Sequence, residues 1–527
     1  MTVGVWLLFA ALAIGGGFSA WQARALVGRG SDHLVHLFLV RAIRTNRHRL
    51  FTRIPGLINP SYCGAYPLYL HWLLAWLPDS ALLVAARWLG PLLVCAQTCA
   101  LFASLRFLGF DDTVAGWSSV LLALTPQFYH AYSARNYGLS SRIIGLLLFM
   151  FLGLCVGYAV DRGSDYALVW LGAALLGYLI WGFNTFTQQA MILTGVVLAL
   201  LGNWMLLAAA AGGLVIFVLL HPKYSISYII HTFRFVHAYA TEVAAAFILR
   251  QRPSLWRDLV YDIWKKICAN RIKGLSYGYA NSVLIAVFLN PLVSASGVLW
   301  LMGRFGDAPV AATFAKISFA AVVVSFATSF RITRFLGEPE RYLEAATPFA
   351  AAAMAIHSVQ SGRAWLLPAL GGYFLAVNIL QLQVIRMQKA ATNPVFAQIR
   401  EVESTIRKSG AIPVVRLCCN NEEITKQLMG NPWTFFRLWA GGQRYAGVSF
   451  GEACKVFPFL TTEFFSRVVI EYRANICVLD REAFWEFQIP PGATGEELMK
   501  SERLRVIRLN WPEGCEPSDE WQTSVSK

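Results

Sequence analysis

The sequence is short of charge. Asp, Glu, Lys and Arg make up only 14% of its 527 residues, where a soluble domain usually carries about 25%. With 56% hydrophobic residues and a mean hydropathy of +0.50, that shortage excludes an ordinary soluble globule and implies a polytopic membrane protein. Pairing signals among the cysteines are missing as well. The ten cysteines are scattered, and several (Cys95, Cys99, Cys155) sit inside apolar runs, where they act as small hydrophobes. No CxxC pair or zinc spacing occurs, and the adjacent Cys418 and Cys419 do not make a disulfide framework, so cysteine usage leaves the compartment open. Internal repeats, low-complexity tracts and a glycine-rich phosphate loop are also absent. Acidic residues are outnumbered, giving a net charge of +15. The Lys and Arg lie mostly in loops between apolar runs, unlike the gathered basic surface of a nucleic-acid binder. Membrane lipids with anionic or phosphate-bearing headgroups are the better partners, and nucleic acid is not expected.

What is present is a succession of apolar runs. The first, residues 3–22, has no basic leader and reaches the roughly 20 residues that cross a bilayer, so it reads as an uncleaved span. Others lie at about 81–105, 114–128, 142–160, 166–183, 187–202, 203–221, 280–303, 310–330, 343–358 and 364–384, about eleven spans in all. An odd count sends the two termini to opposite faces. With the N-terminus cytoplasmic, the segment after the first span, the loops 129–141, 222–279 and 331–342, and the C-terminal region face outward. The positive-inside rule points the other way, since these segments hold much of the Lys and Arg. Long loops count little in that rule, and the opposite orientation stays open. From about 393 the hydropathy falls: VFAQIREVESTIRKSG and NNEEITKQLMG read as helices, and IPVVRLCC, ANICVLD and LRVIRL as strands of a soluble α/β domain.

The segment Gly30–Trp76 carries the most chemistry. Asp32, His33 and His36 gather where a hydrophobic helix leaves the bilayer, an expensive place for ionisable groups and therefore a functional-site candidate. If Asp32 opens a helix, His36 lies one turn on and shares its face. Such a pair can take a proton from a hydroxyl or hold a divalent metal. Asp32 as a plain helix cap is the competing reading. His33 and His36 read as interfacial or structural, no third ligand being close in sequence. VRAIRTNRHRLFTR then sets Arg41, Arg44, Arg47, His48, Arg49 and Arg53 against Leu39, Val40, Ile43 and Leu50, the pattern of a basic helix lying in the headgroup plane. Pro67 reads as a helix starter and His71 as a boundary residue.

Later loops supply further cations. TPQFYHAYSARNYGLSSR contains His130, Arg135 and Arg142; FRITRFLGEPERYLEAATP contains Arg331, Arg334, Glu338, Glu340, Arg341 and Tyr342. Arginine suits a lipid phosphate because its fork can donate two hydrogen bonds. The same side chains could instead pair with Glu340 or Glu344, or snorkel. Residues 222–279, with His221, Lys223, His231, Arg234 and His237 among aromatics, suit pieces that roof a cavity.

Taken in order, a first span, an acid with nearby histidines, a basic helix, the YPLY segment leading into the next helix and GEPERYLE before a late span resemble the GT-C superfamily of integral membrane glycosyltransferases over residues 1–390. The resemblance implies a mainly α, polytopic transmembrane bundle of GT-C type in residues 1–390, followed by the soluble α/β domain of 391–527. It implies transfer of a hexose or pentose from a polyprenyl-phosphate-linked donor to a hydroxyl of a glycan, lipid or protein acceptor, with inversion. The implied setting is a bacterial inner membrane, with the active site on the periplasmic or exterior face. Asp32 falls on the catalytic acid, and Arg341, Arg334 and Tyr342 on the donor-phosphate element, with His33, His36, Arg135 and Arg142 in support. Two departures leave a Mg or Mn cofactor open: His33 stands where many members have Glu, and the 129–141 loop has no second acid. A lipid or lipid-linked glycan transporter would share the basic loops, but inverted repeats and broken helices are not visible. An O-antigen polymerase or ligase would share the arginines without needing the Asp32 segment.

Overall fold

The computed structural model describes residues 2–26, 31–50, 67–130, 138–162, 167–238, 285–306, 308–330 and 339–390, with Cys268, Thr333 and Leu336 between them, and beyond 400 chiefly 417–419, 473–480, 487–502 and 504–512. In chain order the helices are α1 (Val3–Leu26), α2 (Ser31–Thr45), α3 (Tyr69–Leu74), α4 (Asp79–Phe107), α5 (Asp112–Leu124), α6 (Arg142–Arg162) and α7 (Ala167–Phe183). They continue with α8 (Thr185–Leu200), α9 (Met205–Leu220), α10 (Pro222–Ala238), α11 (Pro291–Leu301), α12 (Pro309–Thr328), α13 (Glu340–Gln360) and α14 (Leu366–Ala390). The chain divides into two compact units. One comprises Met1–Val27, Asp79–Pro222 and Arg252–Ala390; the other comprises Gly28–Pro78, Lys223–Gln251 and Ala391–Lys527.

The first unit is helical, and each of the eleven apolar runs contains a helix. Among the described residues, five helical segments are long and apolar enough to cross a membrane: Val3–Ala25, Asp79–Phe107, Arg142–Asp161, Pro309–Thr328 and Leu366–Gln383. The rest fall short for definable reasons. α8 and α9 have 16 residues each, about 24 Å of helix against a hydrocarbon core of about 30 Å. α13 is long enough but opens on the buried acids Glu340 and Glu344. Turns set the breaks between runs. Gly202, at φ +86°, closes α8 before α9, and Gly362, at φ +70°, turns α13 into α14; both are left-handed positions that glycine takes without a Cβ clash.

Helix association inside lipid gains little from apolar burial, so close backbone approach at small residues matters more. α7 and α9 meet at Gly177 and Gly213, where an added Cβ would run into the Ala209 carbonyl or the Gly177 backbone. α1 and α5 meet in the same way at Gly4 and Gly116. α13 threads the centre with almost every residue buried; its Phe349 rests on Gly153 of α6, between Phe149 and Phe314 at ring distances of 5.9 and 5.8 Å.

Hydrogen bonds fix which helix ends share a face. Gln127 donates from Nε2 to the Glu340 carbonyl (2.6 Å) at the start of α13, and Gln381 of α14 donates to the carbonyl of Pro126 next door (3.0 Å). Just beyond Gln381, Leu382, Gln383 and Arg386 line a cavity of about 530 Å³ with Trp21, Arg24 and Ala25 of α1. The C-terminal ends of α1 and α14 therefore lie on the face where α13 begins.

In the second unit α2 departs from the sequence reading. The basic helix expected to lie in the headgroup plane through Arg53 stops at Thr45, and Leu37 to Ile43 are all buried, Arg41 included at 2% exposure. The reason is a sharp turn. Arg47 and His48 take φ of +54° and +58°, held by Trp72 Nε1 donating to the His48 carbonyl (2.9 Å), by a His48 Nε2 contact to the Ala75 carbonyl (3.1 Å) and by His48 stacking on Trp76. Residues 222–238, expected as loop, form α10. The unit also holds a four-stranded sheet of order β1 (Leu417–Cys419), β2 (Ile476–Asp480), β4 (Leu504–Asn510), β3 (Thr494–Lys500). β1 and β2 are parallel and the other pairs antiparallel. The three expected strand segments fall on β1, β2 and β4. β3 was not expected, because TGEELMK is a polar edge strand whose first four residues are exposed, and its pairing with β4 is supported by Glu497–Arg505 and Glu496–Arg508 ion pairs. The helices expected at 394–410 and 420–430 lie largely outside the described residues.

The α7–α9 contact is directly testable. Gly177→Leu is expected to destabilise the folded protein by about 1–3 kcal/mol through overpacking, whereas Gly172→Ala, which meets open space, should be neutral or slightly stabilising. Thermal unfolding in detergent separates the two, and equal melting of Gly177→Leu and wild type would disprove the close crossing.

Candidate functional site

Three helix N-termini converge in the first unit. Arg142 is the first residue of α6, Phe186 the second of α8, and Arg341 and Glu344 the second and fifth of α13. Arg142 Nη2 lies 2.7 Å from Glu344 Oε2, with side-chain exposures of 8% and 2%. The guanidinium of Arg341 stands 3.7 Å, and that of Arg142 5.6 Å, from the centroid of the same Phe186 ring. Asn184 explains why α8 starts here. Its Oδ1 accepts the Thr187 N–H (3.0 Å) as a helix cap, and its Nδ2 donates to Ser141 Oγ (3.1 Å), tying the start of α8 to the residue before α6.

The start of α13 is braced from below. Asn290 Nδ2 donates to Gln127 Oε1 (2.8 Å) and Thr347 Oγ1 (2.7 Å), while Gln127 holds the Glu340 carbonyl. Tyr342 is buried, and its hydroxyl donates to the Leu336 carbonyl (2.7 Å), fixing the turn that delivers Arg341. A helix N-terminus presents N–H groups without intrahelical partners and about half a positive charge. A cation on the first residue of α6 opposes that dipole, and the Glu344 carboxylate offsets both. Arg341 is half-buried and Phe186 exposed, so the cluster is open on their side. Three helix starts and two guanidiniums around one carboxylate make a place that attracts an anion.

The second unit holds a histidine cluster. His36 Nδ1 lies 2.9 Å from His71 Nε2, one nitrogen donating and the other accepting, and the rings stack at 5.1 Å. Both are buried, as is His33. Burial, then the Arg41 cation, pushes the His33 imidazole down to about 4, and burial, then His36, holds His71 well below the usual imidazole range. Tyr224 of α10 accepts the Leu68 N–H (3.0 Å) just before α3.

Of the residues singled out in the sequence, Arg341 and Arg142 come together on Phe186, and Arg142 takes up the Glu344 pairing that had been one of its open alternatives. Tyr342 lies beside them with its hydroxyl turned to the backbone. His33 and His36 sit inside α2. Asp32 is the second residue of α2, its side chain outside the described set, and Arg334 and Arg135 are outside the described residues. Sequence reasoning missed Phe186, Asn184 and the His71 contact. An Asn directly before the apolar TFTQQAMILTG run was a readable cap signal; nothing local marked His71. Among the described residues no group of three or more His, Cys, Asp or Glu side chains could hold a metal ion.

No family model matches the chain, and no curated protein matches it. Among solved structures, the chain is similar to the oligosaccharyltransferase AglB of Archaeoglobus fulgidus in complex with an inhibitory peptide and a dolichol-phosphate, at TM-score 0.45 and 12% identity, covering 90% of this chain and 69% of that one. A second structure of the A. fulgidus oligosaccharyltransferase, with Zn and sulfate, gives 0.48 and 13% over 89% and 68%. ArnT from Cupriavidus metallidurans bound to undecaprenyl phosphate gives 0.40 and 11% over 97% and 99%. AglB and ArnT are both GT-C membrane glycosyltransferases. At these scores the likeness assigns no residue of this chain a role.

Two measurements probe the site. Glu344→Gln removes the carboxylate paired with buried Arg142 and should destabilise the protein by about 3–5 kcal/mol, while Arg142→Met/Glu344→Met should recover most of that loss; thermal melts of the three proteins decide it. His33 has a lowered folded pKa, so the unfolded chain binds its proton first as pH falls. Its contribution is present in full above pH 6.5 and is lost down to about pH 4, on the order of 3 kcal/mol from the usual worth of such a shift. His33→Gln should flatten the melting temperature across that window.

Proposed function

We propose that the chain is a membrane glycosyltransferase that moves a sugar from a polyprenyl-phosphate-linked donor to an acceptor hydroxyl, with inversion, at the external face of the membrane. The observation that carries this reading is the convergence of the α6, α8 and α13 N-termini with Arg142 and Arg341, a setting that favours a bound phosphate. The face supports it as well. α1 ends on the face where α13 begins, the side on which the proposed site would open.

In this mechanism Asp32 is the general base. Its carboxylate takes the proton of the acceptor hydroxyl as that oxygen attacks the anomeric carbon from the side opposite the lipid phosphate. The bond from the anomeric carbon to the phosphate oxygen breaks, and the electron pair leaves with the phosphate. Arg341, with Arg334 in support, stabilises the charge growing on that oxygen, the electrostatic contribution that usually dominates such steps. Arg142, neutralised by Glu344, keeps Phe186 and through it Arg341 in place, and Tyr342 holds the turn before Arg341. His33 and His36 act as positioning residues by locking α2, and Arg135 adds to the positive field.

The acceptor is a glycan, lipid or protein hydroxyl, and the chemistry is the same for each. Asp32→Asn preserves shape but cannot take the proton, so turnover should fall by about 10²-fold to 10⁴-fold with folding unchanged; a plain cap would tolerate Asn with full activity. Arg341→Lys keeps the charge and loses the two-pronged contact, so donor affinity should weaken along with rate. Release of lipid phosphate from a panel of polyprenyl-phosphate sugars is the readout. Near wild-type release by Asp32→Asn removes that residue from the mechanism, and donor binding without any release by wild type would favour a transporter.

A further inference from the structure

The cavity between the ends of α1 and α14 has no part in the proposed transfer, yet it has the composition of a ligand site. Its lining is Trp21, Arg24 and Ala25 from α1 with Ile379, Leu382, Gln383 and Arg386 from α14, around about 530 Å³. The two arginines are exposed, and among the described residues neither has a hydrogen-bond or ion-pair partner. Their depth is set by the helices. The apolar runs of α1 and α14 end at about residues 22 and 384, so Arg24 and Arg386, two residues beyond each, stand at the level where lipid headgroups begin. Ile379, Leu382 and the Trp21 indole line the wall on the bilayer side of them, apolar at acyl-chain depth, with the indole where interfacial tryptophans concentrate.

Two like charges facing one cavity repel each other unless an anion lies between them. An inorganic ion would satisfy the arginines and leave the apolar wall empty; a neutral lipid would satisfy the wall and leave the arginines facing each other. A ligand that answers both has an anionic head and an apolar tail in one molecule. We infer that this cavity holds one anionic glycerophospholipid, its phosphodiester between Arg24 and Arg386 and an acyl chain along Ile379 and Leu382. Such a lipid would clamp the end of α1 to α14. The inference needs only the membrane setting and stands apart from the sugar-transfer reading.

The full chain would be reconstituted with equimolar phosphatidylglycerol and phosphatidylcholine, extracted in mild detergent, and the retained lipid counted by native mass spectrometry. One phosphatidylglycerol per wild-type chain is expected. Arg24→Gln/Arg386→Gln should lose on the order of thirty-fold in that affinity, from the usual worth of two cations beside an anionic headgroup, and Arg24→Lys/Arg386→Lys should retain most of it. The lysine pair also serves as a folding control, since it keeps the charge at exposed positions. Equal retention of the two lipids by wild type, or an undiminished preference in the glutamine pair, overturns the inference. So does displacement of the lipid by millimolar inorganic phosphate, which would mark a free-anion site, or by equimolar polyprenyl phosphate, which would mark a donor site.

Discussion

The arrangement of the first unit depends on one buried ion pair. Arg142 and Glu344, 2.7 Å apart and nearly without solvent, join the first residue of α6 to the fifth residue of α13. Charges in such surroundings interact strongly but are costly to desolvate, so neither partner can be moved away from the other without a large penalty. The pair therefore fixes the height of α6 against α13 in a bundle where apolar packing alone would tolerate sliding. Register in lipid needs such a device, because one apolar side chain replaces another at little cost. The hydrogen-bonded chain from Thr347 through Asn290 and Gln127 to the Glu340 carbonyl repeats the constraint a turn away.

Once the height is fixed, the geometry of the anion-attracting cluster follows. Phe186 is held by the Asn184 cap, and Asn184 is held by Ser141, the residue before Arg142. Arg341 then has an aromatic face to lie on, 3.7 Å away, which orients a long side chain that would otherwise sample many rotamers. Preorganisation of this kind is what makes a cation effective against charge that develops during a reaction.

The helices were legible in the sequence because apolar runs of spanning length have few other uses, and the strands of the sheet because ANICVLD and LRVIRL pair β-branched residues with burial. Arg341 was singled out through its place in GEPERYLE, and the fold sets it against Phe186. What could not be read was contact between residues far apart in sequence. Arg142 and Glu344 are 202 positions apart, and each had several plausible partners until the fold chose one. Phe186 looked like one more apolar residue at the start of an apolar run. The reading of Leu39 to Leu50 as a membrane-surface helix failed because charge pattern assumes that every arginine seeks solvent. Arg41 is buried in α2 instead, and the left-handed Arg47–His48 turn, stabilised by Trp72 and Trp76, has no signature in a sequence that lacks glycine there.

Cation number alone was also a poor guide to cation role. Arginines at similar positions, within four residues of the end of a helix, divide by what surrounds them. Arg142 is neutralised and structural, Arg41 is buried beside His33, and Arg44 donates to the Ala75 and Leu77 carbonyls at the end of α3. Arg24 and Arg386 share a largely apolar cavity just beyond the apolar runs of α1 and α14. Arg341 alone among these combines an aromatic platform, the start of a long buried helix and partial exposure. A positive total of +15 therefore does not describe a uniform electrostatic surface. It is the sum of arginines that lock helices together and others that stay half-buried or exposed near helix ends.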